Sequence, residues 1–178
     1  MTRDASPPPV LAEGPAPVAE LDREAADRMW RAYLAQHPLQ AWDTPTVEHF
    51  GDSAAMADEL LGIVLAGGKR ATAALLRDFA DLGELPPRIA SHWVACDGAG
   101  APRVVLRSVE LRVGTADSVD DRFARDEGEG DEDREQWLVG HGRYWTRQLA
   151  ALGEPWDPTT ELVVFERFEV VWPPEHAD

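Results

Sequence analysis

In AGGKRATAAL, residues 66–75, one lysine and one threonine interrupt a chain that is otherwise apolar on both sides. Lys69 follows two glycines and stands three positions before Thr72. A threonine hydroxyl is a weak nucleophile until a neighbouring base takes its proton, and lysine serves as that base once burial lowers its pKa. A carboxylate can then orient the lysine or shuttle the proton. The same residues also read as a solvated lysine at a helix end, where a cation suits the dipole, followed by a strand threonine. Positions three apart on a regular strand face opposite ways. The amine and the hydroxyl therefore converge only if Lys69 lies in the turn or a bulge intervenes, and Gly67 and Gly68 favour the turn.

Other chemistries fit less well. A phosphate-binding loop has four residues between its first glycine and its Gly-Lys pair, then Ser or Thr. Here five residues separate Gly62 from Gly68, and Arg70 follows Lys69. Such a loop also runs from strand into helix, whereas this one leaves a helix. The segment from Asp117 to Glu135 holds ten carboxylates and three arginines, but no frame places them as a calcium-binding loop requires. Most of that run reads as solvated surface. Within it, GEG at 128–130 permits a tight turn that holds Glu127 or Glu129 against a pocket. The five histidines form no HxxxH pair, so no metal and no other cofactor is expected. Cys96 is the single cysteine and lies in an apolar stretch, which suits a small buried residue.

These residues need a scaffold. Residues 19–36 carry Leu21, Ala25, Met29, Ala32 and Tyr33 at helical spacing, and His37-Pro38 ends that helix. A second helix opens after Asp52 or Ser53 and stops at Gly67-Gly68. Residues 69–84 read either as continuous helix or as a short strand, 69–74, and a short helix. ASHWVACD and RVVLRSVELRV, joined by GAGAP, predict a β-hairpin. A helix over roughly 131–152 and a final strand, TELVVFERFEVVW, complete the chain. Strands and helices do not alternate regularly. The expected fold is therefore α+β, a small mixed β-barrel with flanking helices.

With 178 residues the chain can build one domain with a core. Residues 1–18 are rich in Pro and Ala and predict a disordered tail. Residues 19–49 form a helix and connector, and 50–178 the main domain. The longest apolar run is far short of the ~20 residues of a membrane span, and no signal peptide is evident, so a cytoplasmic location is expected. A net charge of -16 opposes a generic grip on long nucleic acid, which depends on neutralising phosphates. A small pocket for one nucleoside or nucleotide remains compatible with it.

Five motifs in order resemble the ASCH family, a branch of the PUA-like superfamily of small β-barrels. They are FGDS at 50–53, LAGGKRAT at 65–72, FARDEGEGD at 123–131, the Trp-His-Arg-Tyr-Trp pattern of QWLVGHGRYWTRQ, and the terminal FERFEVV. The resemblance spans about Phe50 to Trp172 and points to the longer bacterial subgroup with an EGEGD signature. It implies a strand after GGK and a cleft at the barrel mouth. Family members are generally supposed to bind RNA or nucleosides. Small bacterial members remove the acetyl group from N4-acetylcytidine, which implies Lys69 as base, Thr72 as nucleophile and Glu127 as orienting or proton-transferring group. Phe50, Asp52, Arg70 and Trp145 are the expected substrate-binding residues. The alternative is an RNA- or modified-nucleotide-binding module without catalysis. Shorter members carry arginine where this chain has Ala74, so substrate specificity is expected to differ.

Overall fold

The computed structural model describes residues 15–131 and 133–178. Its elements are α1 (Arg23–Gln36), β1 (Thr46–His49), α2 (Ala54–Leu65), β2 (Ala71–Leu75), α3 (Leu76–Leu82), β3 (His92–Cys96), β4 (Pro102–Thr115), α4 (Asp121–Glu127), α5 (Arg134–Ala151) and β5 (Leu162–Trp172), with 3-10 turns at Pro38–Gln40 and Ala116–Ser118. Four helices start where a short polar side chain can accept from an orphan backbone N–H. Asp22 caps α1 through Ala25 at 2.8 Å, and Ser53 caps α2 through Met56 at 3.3 Å. Asp120 caps α4 through Phe123 at 2.8 Å, and Asp133 caps α5 through Gln136 at 2.9 Å.

The five strands form one sheet in the order β1-β3-β4-β5-β2. Among the described residues only the β1/β3 pair is parallel. The register shifts between Ala95 and Cys96, between Val105 and Leu106, and between Ser108 and Glu110. Bulges of this kind raise local twist and bend a strand. They curl the sheet into a half-barrel whose free edges are β1 and β2.

Three apolar layers hold it. Helices α4 and α5 bring Phe123, Trp137, Trp145 and Leu149 against Ala71, Leu75, Val163 and Phe165. Helix α2 brings Leu61 and Val64 to Trp93, Leu106, Phe168 and Val170, with Phe50 among them. Helix α1 sets Ala26, Trp30 and Tyr33 on the reverse side of the sheet, against Val94 and Val105. This explains why all five residues of β3 are buried, since helices cover both of its faces. The N-terminal helix is therefore part of the packing of the sheet.

Where the sequence left helix and strand open, the chain forms a strand and then a helix, and the strand begins at Ala71. Two short elements were not anticipated. β1 sits in the stretch read as a connector, and α4 in the acidic run; each is too short to show a clear period. Of the expected disordered tail, residues 1–14 lie outside the described residues. Residues 15–18 are described, and there the Ala16 carbonyl accepts from Ala54 N–H at 2.9 Å at the start of α2. Among the described residues, no helix is long and apolar enough to cross a membrane.

Candidate active site

Two loops meet at the end of α2. Gly67 takes φ +84, and a Cβ at Gly68 would press on the Ile63 side chain at 2.9 Å. The bend leaves Lys69 and Arg70 ahead of β2, so the amine is not bound by strand alternation. From the other side, α4 ends at Gly128 in the left-handed conformation, φ +69. A Cβ there would run into the Gly68 carbonyl group and stand 3.2 Å from the Lys69 nitrogen. Arg70 N–H donates to the Asp126 carbonyl at 2.8 Å and completes the seam.

The seam brings Lys69 to Glu129. The Lys69 side chain is fully buried, and its Nζ donates to Glu129 Oε1 in an ion pair. The same Nζ lies 5.6 Å from the centroid of the Phe50 ring. Glu127, the last residue of α4, is also buried. Its Oε2 accepts from the Trp137 indole N–H and lies 3.3 Å from His141 Nε2, while its Oε1 has no hydrogen-bond partner among the described residues. Burial pushes the Glu127 carboxyl up to about 8, against the opposing pull of Lys69. Burial pushes His141 down to about 4. Near neutral pH both are then uncharged. His141 Nδ1 faces the Trp137 carbonyl at 3.3 Å, which suits a hydrogen on Nδ1. Nε2 is then an acceptor for the Glu127 O–H.

This cluster borders a cavity of about 940 Å³ between the free edges of the half-barrel. Thr72, Glu127, Glu129 and His141 line it, as do Phe50 and Trp145. Thr72 is partly buried on β2, in register with Glu166 of β5. Phe50 and Trp145 belong at once to the apolar core and to the cavity wall. Lys69 stands behind the wall, and Glu129 connects its amine to the cavity.

Two of the residues expected to bind substrate are placed elsewhere. Arg70 turns its guanidinium to Asp178 Oδ1 at 2.6 Å and to the carbonyls of Val64 and Lys69, and is not in the wall. Asp52 is not in the wall either, and pairs with Arg147 at 3.6 Å, which is. Sequence reasoning passed over Glu129 as the lysine's partner, although GEG marked both glutamates. It also passed over His141, whose signal was its place one helical turn after Trp137. Glu127, Glu129 and His141 present potential ligand atoms within 4.8 Å of one another. Lys69 already supplies the positive charge on Glu129, and His141 and Trp137 occupy Glu127, so the set reads better as an acid–base cluster than as a metal centre.

Residues 46–172 match the ASCH domain. This chain belongs to the ASCH domain family. The match covers all five strands, from β1 to the end of β5. The ASCH domain of Lactobacillus crispatus JV V101, solved by crystallography, superposes with a TM-score of 0.75 at 25% identity, over 84% of this chain and 96% of that one. A protein of Enterococcus faecalis V583 assigned to family DUF984 superposes with a TM-score of 0.73 at 27% identity, over 83% of this chain and 88% of that one. No curated protein matches the chain. The ASCH half-barrel has the α+β, PUA-like architecture expected from the sequence.

Proposed function

We propose that this ASCH protein is an amidohydrolase acting on an N-acylated nucleoside or a similar small amide. One observation carries the reading. A buried lysine, ion-paired to Glu129 beside the uncharged Glu127, borders a cavity that also exposes a threonine. That cavity is large enough to enclose a nucleoside, and the buried Lys69–Glu129 and Glu127 groups at its edge interact more strongly than they would in water.

The chemistry follows from the residues. No hydrogen bond joins Lys69 Nζ to Thr72 Oγ1 among the described residues, so the two must close on each other when substrate binds. Lys69 then passes a proton to the Glu129 carboxylate, and the freed amine takes the proton of Thr72 Oγ1. The oxygen attacks the acyl carbonyl and forms a tetrahedral intermediate. Lys69 returns the proton to the leaving nitrogen as the C–N bond breaks. Water then attacks the acyl-threonine ester, Lys69 accepts its proton and hands it to Thr72 Oγ1 as the acyl C–O bond breaks, and the carboxylic acid leaves with Thr72 restored. Glu127 holds the second proton store of the cluster, and His141 and Trp137 fix its orientation. Phe50 and Trp145 are almost fully buried, so they back the cavity wall and shape it without presenting an open ring face to a base.

Incubation with N4-acetylcytidine tests this. Cytidine and acetate are the expected products, and Lys69→Ala should abolish their release. An absence of turnover on a panel of acylated nucleosides would remove the proposal.

A second reading is a module that binds RNA or a modified nucleotide without chemistry. It draws on Arg88, Arg143 and Arg147 in the cavity wall and on the RNA-binding role often proposed for this fold. It predicts oligonucleotide affinity that weakens as salt rises.

A further inference from the structure

The same cavity has a second acidic wing that the proposed reaction does not use. Glu166 on β5 is the cross-strand neighbour of Thr72 and shares its face of the sheet. It is 7% exposed. Ser108 Oγ donates to Glu166 Oε1, while Oε2 has no protein partner among the described residues. Glu48 on the opposite edge strand lines the same space, and its charge acts on Glu166. A buried carboxyl with one oxygen fixed and the other open to a cavity is a receptor for hydrogen-bond donors. Among the described residues, eight carboxyl groups and three arginines line the cavity. With Glu127 uncharged and Glu129 paired to Lys69, the remaining acids still outnumber the arginines, so a further anion meets mainly like charge.

We propose that Glu166 and Glu48 form a subsite beside Thr72 that binds the hydroxyl or N–H donors of an uncharged ligand and rejects its phosphorylated form. The inference rests on the hydrolase reading for where the reacting amide lies, but its geometry does not require turnover. A free nucleoside satisfies the subsite through its ribose hydroxyls. A nucleotide carries a phosphate dianion into an acidic wall, and an oligonucleotide carries several. Ser108 holds the Glu166 carboxyl in place and is a positioning residue.

Calorimetry with cytidine and cytidine 5′-monophosphate measures this without hydrolysis. The expected result is ~10-fold or greater preference for cytidine, close to the effect of one good polar contact. Glu48→Gln with Glu166→Gln removes both potential charges at nearly constant volume, and should narrow that preference to ~3-fold or less. Glu166→Ala should weaken cytidine binding ~10-fold while leaving the monophosphate nearly unchanged. Thermal melting of each variant confirms that it folds. Equal or tighter binding of the monophosphate by the unmodified protein, an unchanged preference in the double variant, or no binding of either compound would overturn the inference. Selective cytidine binding without any deacylation would sink the hydrolase reading and leave the subsite standing. Deacylation with unaltered selectivity in the variants would do the reverse.

Discussion

Gly128 packs its α-carbon against the carbonyl of Gly68, and this contact between two glycines decides which carboxylate meets Lys69. Neither loop alone holds the pair. The bend after α2 frees Lys69 from the strand, and the left-handed end of α4 brings Glu129 across to it.

Gly128→Ala tests the seam. The residue has φ +69, and the new methyl group would collide with the Gly68 carbonyl. Left-handed strain alone amounts to about 1–3 kcal/mol, and the collision adds to it. Urea denaturation should show a loss of about 2 kcal/mol or more, together with loss of any deacylase activity. Gly130→Ala, also at positive φ but with open space around it, should lose less.

The ion pair yields to a double-mutant cycle. Removing one partner of a buried pair leaves the other uncompensated and commonly destabilises by about 3–5 kcal/mol. Glu129 is 26% exposed, so Lys69→Met should fall at or below the low end of that range. Adding Glu129→Gln should recover about 1 kcal/mol or more of the loss, as measured by denaturation.

Thr72 separates chemistry from stability. The hydroxyl lines the cavity, and no protein hydrogen bond depends on it among the described residues. Thr72→Val should hold stability within about 1 kcal/mol and reduce deacylation about a thousandfold or more. Thr72→Ser keeps the nucleophile and should retain measurable turnover.

The buried acids set a pH dependence. Burial pushes Glu127 up to about 8 and Glu166 up to about 7, so the folded chain keeps protons that the unfolded chain releases above the ordinary carboxylate range. Their contribution is complete at low pH and is lost as pH rises through those values. Burial pushes His141 down to about 4 from 6.5, so its contribution is present above 6.5 and is lost as pH falls toward 4. The effects oppose each other in mildly acid solution. From pH 6.5 to 8 the carboxyl effect stands without the His141 one, and stability should fall by at most about 1.4 kcal/mol per pH unit for each proton. Glu127→Gln should flatten that slope in urea titrations at a series of pH values.

Trp30 tests whether α1 belongs to the fold. Its ring is buried, 5.2 Å from Tyr33 and 5.0 Å from His92, and packs in one cluster with Val94 and Val105. Trp30→Ala should destabilise the whole domain by about 3–5 kcal/mol in one cooperative transition. A separate early melting of the helix would mean that α1 is only appended.

The sequence by itself determined the long elements and the residues that carry chemistry. Periodicity over ten or more residues and the capping of Asp or Ser gave α1, α2 and α5, and alternation gave the β3–β4 hairpin and β5. Lys69, Thr72 and the GEG glutamates stood out because their types are costly to place without a purpose. Tertiary structure decided the rest. β1 became a strand by pairing with β3, which four residues of sequence cannot announce. Glu129 rather than Glu127 met the lysine because two glycine backbones touch. Arg70 turned away from the cavity because Asp178, 108 positions later, was there to receive it. Local interactions leave a trace within a few positions, whereas the environment of a buried charge depends on parts of the chain that only folding brings together.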